Sequence, residues 1–280
     1  MQWIIKITLF GLCFIAIDRF CKSQTGSFTV YRITSNLTYQ PEWETTHEDL
    51  APIKQILQQP YSYLGKGVQS FAFVSQDGHY VIKFFRHDHL TTPFLLSKIP
   101  LDWARTKVAK KEAKLQREFK SYKIAYEQLK KETGLVFLHL NKTSNFGQTL
   151  DLIDKLGIHH KIPLDNYEFL IQKRASLLYT GLDQMIQNNR IEDAKESLSK
   201  LIGLLAHRAQ LGISDKDPDL ETNFGIIGTD PVQIDVGRFC LKSRPFDKNE
   251  IIRITDDLHS HLNKTCPELA VHLKTQINNL

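Results

Sequence analysis

Cysteine is scarce in this chain. Four are spread over 280 residues, at Cys13, Cys21, Cys240 and Cys266, with no Cys-x-x-Cys pair and no histidine at ligand spacing beside them. That pattern argues against both a metal cluster and a disulfide framework. Also missing is a basic stripe interleaved with aromatic residues, the footprint of a nucleic-acid binder. The net charge is only +5. The densest basic run, 107–120, is interrupted by Glu112 and Glu118 and reads as the solvated face of a helix. No nucleic-acid partner is expected. Internal repeats and low-complexity tracts are absent. So is an apolar run of the roughly 20 residues that a membrane span requires. The longest, Ile7 to Ile17, has the length of a signal-peptide core.

What is present is an ordinary globular composition, 41% hydrophobic and 24% charged, on a chain long enough for one large domain or two lobes. The N-terminal segment stands apart from the rest. Lys6 precedes the apolar run, and no clear small-x-small cleavage site follows it. Residues 1–25 are therefore expected to be a signal peptide or a short membrane anchor, giving a membrane-anchored or secreted protein. The side of the membrane is left open, because Lys6 opposes Arg19 and Lys22. Sequons at Asn36, Asn141 and Asn263 matter only if the chain enters a glycosylating compartment. Residues 26–59 read as a polar extension with a short helix around Ile53 to Gln59.

Residues 63–85, YLGKGVQSFAFVSQDGHYVIKFF, contain two strand-like runs joined at Asp77-Gly78, a hairpin turn signal. The first run opens on Gly65-Lys66-Gly67, and the second carries Lys83 between Ile82 and Phe84. A lysine so flanked either reaches solvent along its stem or is held for a purpose. A helix is expected over about 104–133, with Leu115, Phe119, Tyr122, Tyr126 and Leu129 on one face and Gly134 as its stop. Short strands are expected at 135–140 and 167–175, and a helix at 191–210. A strand, a turn at Thr229-Asp230-Pro231 and a second strand follow, with a tail helical in two pieces from about Asp247. This order is that of an α+β chain in two lobes.

The acidic stretch near the C-terminus is the second informative one. Asp215, Asp217 and Asp219 sit close together, Asn223 follows, and Asp235-Val236-Gly237 comes at a strand end. Carboxylate and amide oxygens so placed suit Mg²⁺ bound together with substrate phosphates, and a nearby carboxylate can take the proton of an attacking hydroxyl.

Across roughly residues 60–240 the chain resembles the protein-kinase-like superfamily, more its atypical and aminoglycoside-phosphotransferase-like branches than typical protein kinases. LGKGVQSFAF looks like the glycine-rich loop and YVIKFF like the third strand with its phosphate-pairing lysine. SDKDPDLETN looks like the catalytic loop, and IDVG like the metal-binding D-F-G motif. The resemblance implies a two-lobed fold: a β-rich N-lobe and hinge over 60–175 and a reduced helical C-lobe over 176–280, preceded by the hydrophobic N-terminal helix. It implies ATP and Mg²⁺ as cofactors. Gly65, Gly67, Ser70 and Lys83 would attend the phosphates, with Gln172 and Lys173 near the adenine. Glu118 would pair with Lys83, with Glu112 as the alternative. Asp217 would be the base, and Asn223 and Asp235 would hold the metal. The pattern is departed from at several points: Ser70 stands in place of the third glycine, Asp215 in place of the loop histidine, and Val236 in place of phenylalanine. The spacing from Asp217 to Asn223 is one residue longer than in kinases, which keeps Asp215 and Asp219 open as alternative bases. No A-P-E follows.

The expected function is an ATP- and magnesium-dependent phosphotransferase acting on an unknown hydroxyl acceptor. The alternative is a membrane-tethered pseudokinase acting as a binding or regulatory module. The sequence indicates neither acceptor nor oligomeric state.

Overall fold

A computed structural model of the protein describes residues 2–46, 49–92, 98, 100–242 and 247–280. It is a mixed α+β chain that divides into two compact units: unit 1 is 1–113 with 139–170, and unit 2 is 114–138 with 171–280.

Helix α1 (Gln2–Gln24) opens the chain. Trp3, Ile7, Phe10, Phe14 and Phe20 stand exposed along it. Among the described residues no helix is long and apolar enough to cross a membrane. The chain then turns through Gly26 and Ser27, both at positive φ. At Gly26 a side chain is excluded outright, because an added Cβ would lie 2.3 Å from the Tyr63 hydroxyl. Phe28 follows and packs edge-on to Phe71 and Phe73, with centroids 5.3 and 5.0 Å away. The extension is thus part of the core of unit 1. It continues through α2 (Val30–Ile33) and α3 (Ala51–Ile56).

The strands of unit 1 form as their alternation dictates. β1 (Tyr61–Lys66), β2 (Ser70–Ser75) and β3 (Tyr80–Phe85) pair antiparallel in sequence order. Phe71, Phe73, Ile82, Phe84 and Phe85 are fully buried. The hairpin turn falls at Asp77-Gly78, where Gly78 takes φ 76°. Asp77 closes that turn by accepting from the Ser75 hydroxyl and the His79 N–H. Beyond β3, α4 (His87–Leu90) leads toward α5 (Asp102–Gln128). α6 (Lys130–Thr133) then ends at Gly134 in the left-handed region, φ 63°. β4 (Leu135–His139), β5 (Thr149–Ile153), β6 (His159–Pro163) and β7 (Phe169–Lys173) complete a seven-stranded sheet of order β4-β7-β3-β2-β1-β5-β6. β5 runs parallel to β1 and antiparallel to β6. The chain changes units within α5, β4 and β7.

Unit 2 continues with β8 (Ser176–Leu177), α7 (Leu178–Gln187) and α8 (Ile191–Gln210). In α8 Glu192 and Asp193 occupy the first turn and His207 and Arg208 the last, charges that complement the helix dipole. Leu198, Leu201, Ile202 and Leu205 recur on the buried face at three- and four-residue steps. β9 (Ile213–Asp215), β10 (Phe224–Ile227), β11 (Asp230–Gln233) and β12 (Phe239–Leu241) follow. They form two small sheets, β11-β10-β8 and β12-β9. The β10–β11 turn lies at Gly228 (φ 67°), so Asp230 and Pro231 belong to the strand rather than to the turn expected there. α9 (Lys248–Thr265) is capped by Asp247, whose carboxylate accepts from the Asn249 N–H, and α10 (Pro267–Asn278) begins on proline. Leu258, Leu262, Leu269 and Leu273 from these two helices close over the core around α7 and α8.

Candidate functional site

Unit 1 carries the glycine-bearing loop and Lys83. The β1–β2 register shifts between Tyr63 and Gly65, and the chain reverses with the Gly67 N–H donating to the Ser70 carbonyl at 2.9 Å. Arg86 fastens this loop: its N–H donates to the Gln69 carbonyl at 2.8 Å, and its Nη1 donates to the Gly67 carbonyl at 3.0 Å. Its guanidinium lies 5.1 Å over the Phe71 ring. Arg86 was not singled out in the sequence, although it directly follows the YVIKFF strand. Neither Gly65 nor Gly67 has positive φ. A Cβ would meet nothing within 4 Å at Gly65, and at Gly67 only the Ser70 carbonyl at 3.9 Å. The fold of unit 1 therefore does not itself require glycine at either position. Ser70 opens β2 opposite Phe85, and Lys83, half-buried, sits opposite Ala72.

Unit 2 carries Glu118, Gln172, Lys173, Asp217, Asn223 and Asp235. Three of these share one pair of loops. The Asn223 side-chain amide donates to the Asp217 carbonyl at 2.8 Å. The N–H groups of Ile234 and Asp235 both donate to the Asn223 carbonyl, at 2.8 and 3.3 Å. Between Asp217 and Asn223 the Asp219 carboxylate accepts from the Glu221 N–H and the Thr222 hydroxyl. The Asn223 N–H closes the turn on the Asp219 carbonyl at 3.0 Å.

The three carboxylates of the loop are thereby distinguished. Asp219 is turned into its own loop. Asp215 is buried, accepting from the Asp217 N–H and from Gln233, and burial pushes its carboxyl up. Asp217 faces solvent, with 55% of its side chain exposed, and the Arg238 guanidinium lies 3.7 Å from its carboxylate. Asp235 is exposed and accepts from the Gly237 N–H at 3.1 Å.

The part of α5 in unit 2 packs against this second loop. The Ser121 hydroxyl donates to the Val236 carbonyl and accepts from the Phe239 N–H at 2.6 Å. One turn earlier Glu118 is buried, at 4% exposure, and among the described residues its Oε2 has no hydrogen-bond partner. Glu112, its alternative, is exposed. Burial pushes the Glu118 carboxyl up to about 7; the Lys114 ammonium opposes this, and the Asp235 carboxylate adds to it. The consequence for stability has a definite sign. Between about 4.5 and 7 the folded chain keeps a proton on Glu118 that the unfolded chain has released. Stability from this group is therefore fully present below about 4.5 and is lost as pH rises through about 7. Glu118→Gln is expected to flatten that fall, by about 3 kcal/mol at most. Denaturant titrations of both proteins from pH 4.5 to 8 check this, and parallel profiles would contradict it.

Gln172 is engaged within unit 2. Its carboxamide is buried and donates to the Thr133 carbonyl at 2.5 Å and the Gln233 carbonyl at 3.4 Å. Lys173 is exposed, and its N–H donates to the Gly134 carbonyl at 2.8 Å. No cluster of three or more His, Cys, Asp or Glu is arranged to hold a metal among the described residues. The Asn223 side-chain oxygen accepts from the Thr222 hydroxyl at 3.2 Å, and the Asp235 carboxylate is exposed.

No family model matches the sequence, and no curated protein matches it. Among solved structures the chain is similar to WbdD. One WbdD structure has a TM-score of 0.39 and 12% identity over 79% of this chain and 46% of that one. Another, of WbdD described as a bifunctional kinase-methyltransferase, has a TM-score of 0.34 and 14% identity over 75% of this chain and 42% of that one. The chain spans less than half the length of either. Likeness at this level leaves the reading of the site to its own side chains.

Proposed function

We propose that the chain is an ATP- and Mg²⁺-dependent phosphotransferase of kinase-like fold acting on a hydroxyl acceptor. The observation that carries this reading is the joining of Asp217, Asn223 and Asp235 through the bonds that Asn223 makes to both loops. Asp235 and Asn223 would hold Mg²⁺. The glycines at 65 and 67, which the fold of unit 1 does not demand, fit a backbone that lies close over phosphates. Lys83 would neutralise phosphate charge.

In the transfer step the acceptor oxygen attacks the γ-phosphorus and its proton passes to Asp217. The bond from γ-phosphorus to the bridging oxygen breaks, and ADP leaves with that electron pair. Incubation of the full chain with Mg²⁺ and γ-labelled ATP tests this reading, with water as the acceptor in the absence of another. Released labelled phosphate that requires Mg²⁺ is the expected result. A nucleotide-binding module without transfer is the second reading, and it is favoured by one observation: Arg238 stands beside the Asp217 carboxylate. That reading predicts binding of Mg²⁺–ATP and no labelled phosphate.

We infer also that α1 acts as a targeting or anchoring segment, because its large apolar side chains are exposed on all sides. Recovery of the full chain in the soluble fraction, with α1 intact by mass, would count against this.

A further inference from the structure

Behind the two loops lies a buried polar relay that no motif marks. Gln233, at the end of β11, is 1% exposed, Arg208 on α8 is 3% exposed and Asp215 at the end of β9 is 6% exposed. The Gln233 Nε2 donates to Asp215 Oδ2 at 2.5 Å and reaches the Asp235 carbonyl at 3.2 Å. The Gln233 Oε1 accepts from Arg208 Nη1 at 2.5 Å. The other oxygen of Asp215 accepts the Asp217 N–H at 2.9 Å. A single carboxamide thus ties the backbone of the loop bearing the candidate base to the backbone of the loop bearing the candidate metal ligand.

Only an amide performs this task, because it donates to a carboxylate and a carbonyl on one side while accepting from a guanidinium on the other. Stability is a poor explanation for such a set. A buried Arg–Asp pair is often replaceable by apolar residues at no loss, whereas fully satisfied polar networks specify one arrangement. We propose that Gln233, held by Arg208 and Asp215, is a positioning residue that sets the separation of Asp217 and Asp235. The proposal rests on the phosphotransferase reading above.

The test compares wild type, Gln233→Glu, Gln233→Met and the combination of Gln233→Glu with Asp215→Asn, all as full chains, in Mg²⁺-dependent turnover of γ-labelled ATP. Displacement of reacting groups by about 1 Å costs on the order of 100-fold in rate. Each single variant is therefore expected to lose 10- to 100-fold in kcat, with the KM for ATP changing less. The combined variant exchanges carboxylate and amide across the contact with residue 215 but leaves the Asp235 carbonyl without its donor, so it is expected to recover part of the loss. It also serves as the control should a single variant fail to fold. Unchanged kcat in single variants that melt cooperatively overturns the proposal, as does a combined variant that folds but is no faster than Gln233→Glu. Absence of turnover in wild type overturns the phosphotransferase reading itself, and the positioning role with it; the wild-type control separates that failure from the others.

Discussion

Asp217→Asn is expected to lower phosphoryl transfer from Mg²⁺–ATP by a factor of about 10² to 10⁴, the range associated with a positioned general base. The substitution keeps the side-chain shape, and the contacts that build the loop come from the backbone of residue 217: its N–H bonds to Asp215 and its carbonyl accepts from Asn223. Folding and nucleotide affinity should therefore change little. The exposed pair with Arg238 is also lost, and an exposed pair of this length contributes at most about 1 kcal/mol. Single-turnover rates of labelled phosphate release, measured beside ATP affinity by calorimetry, check the prediction. Retained rate in the variant would show that Asp217 is not the base.

Lys83→Met is the second substitution with a large expected effect. Lys83 lies mid-strand in β3, half-buried, between the fully buried Ile82 and Phe84. Methionine preserves the aliphatic stem and its packing and removes the ammonium, its charge and its hydrogen-bond donors together. Loss of one preorganised group that stabilises phosphate charge typically costs about 10² to 10³ in rate. The expected result is a fall of that size in kcat/KM for ATP. A destabilised variant with unchanged kcat/KM would instead mark Lys83 as a structural snorkelling residue.

Much of this arrangement was legible in the sequence where a local rule was obeyed. Alternation and an Asp-Gly turn located the β2–β3 hairpin, while the first run proved to be two strands, β1 and β2, rather than one. The helix at 191–210 was read to its ends because its apolar period and terminal charges agree. Glu118 was read as inward because it shares a face with Leu115 and Tyr122, and all three are buried. The β5–β6 hairpin was missed. β5 alternates Leu150 and Leu152 inward, but over only five residues, and the polar Asp151, His159, His160 and Lys161 pair across the hairpin and with the Asp154 turn. The turn at Asp154 and Gly157, with Gly157 at φ 81°, was the one available signal.

Long-range polar pairing was illegible for a different reason. Arg208, Asp215 and Gln233 lie on separate elements, and no spacing rule joins a helix end, a strand end and a glutamine in a third element. Gln172 illustrates the converse. Sequence order set it beside an adenine, while in unit 2 its carboxamide bonds to two backbone carbonyls. Asp215, Asp217 and Asp219 likewise share composition and neighbourhood in the sequence, and they differ in burial and in what their oxygens accept.

The most direct test of the account is the thermal stability of the full chain with and without ATP, in the presence and absence of Mg²⁺, beside Asp235→Ala. A ligand at 100 times its dissociation constant stabilises the folded state by about 2.7 kcal/mol, a shift of several degrees for a chain of this size. The account predicts a shift that requires Mg²⁺ together with ATP and disappears in Asp235→Ala. No shift at millimolar Mg²⁺–ATP, or an equal shift in Asp235→Ala, would contradict it.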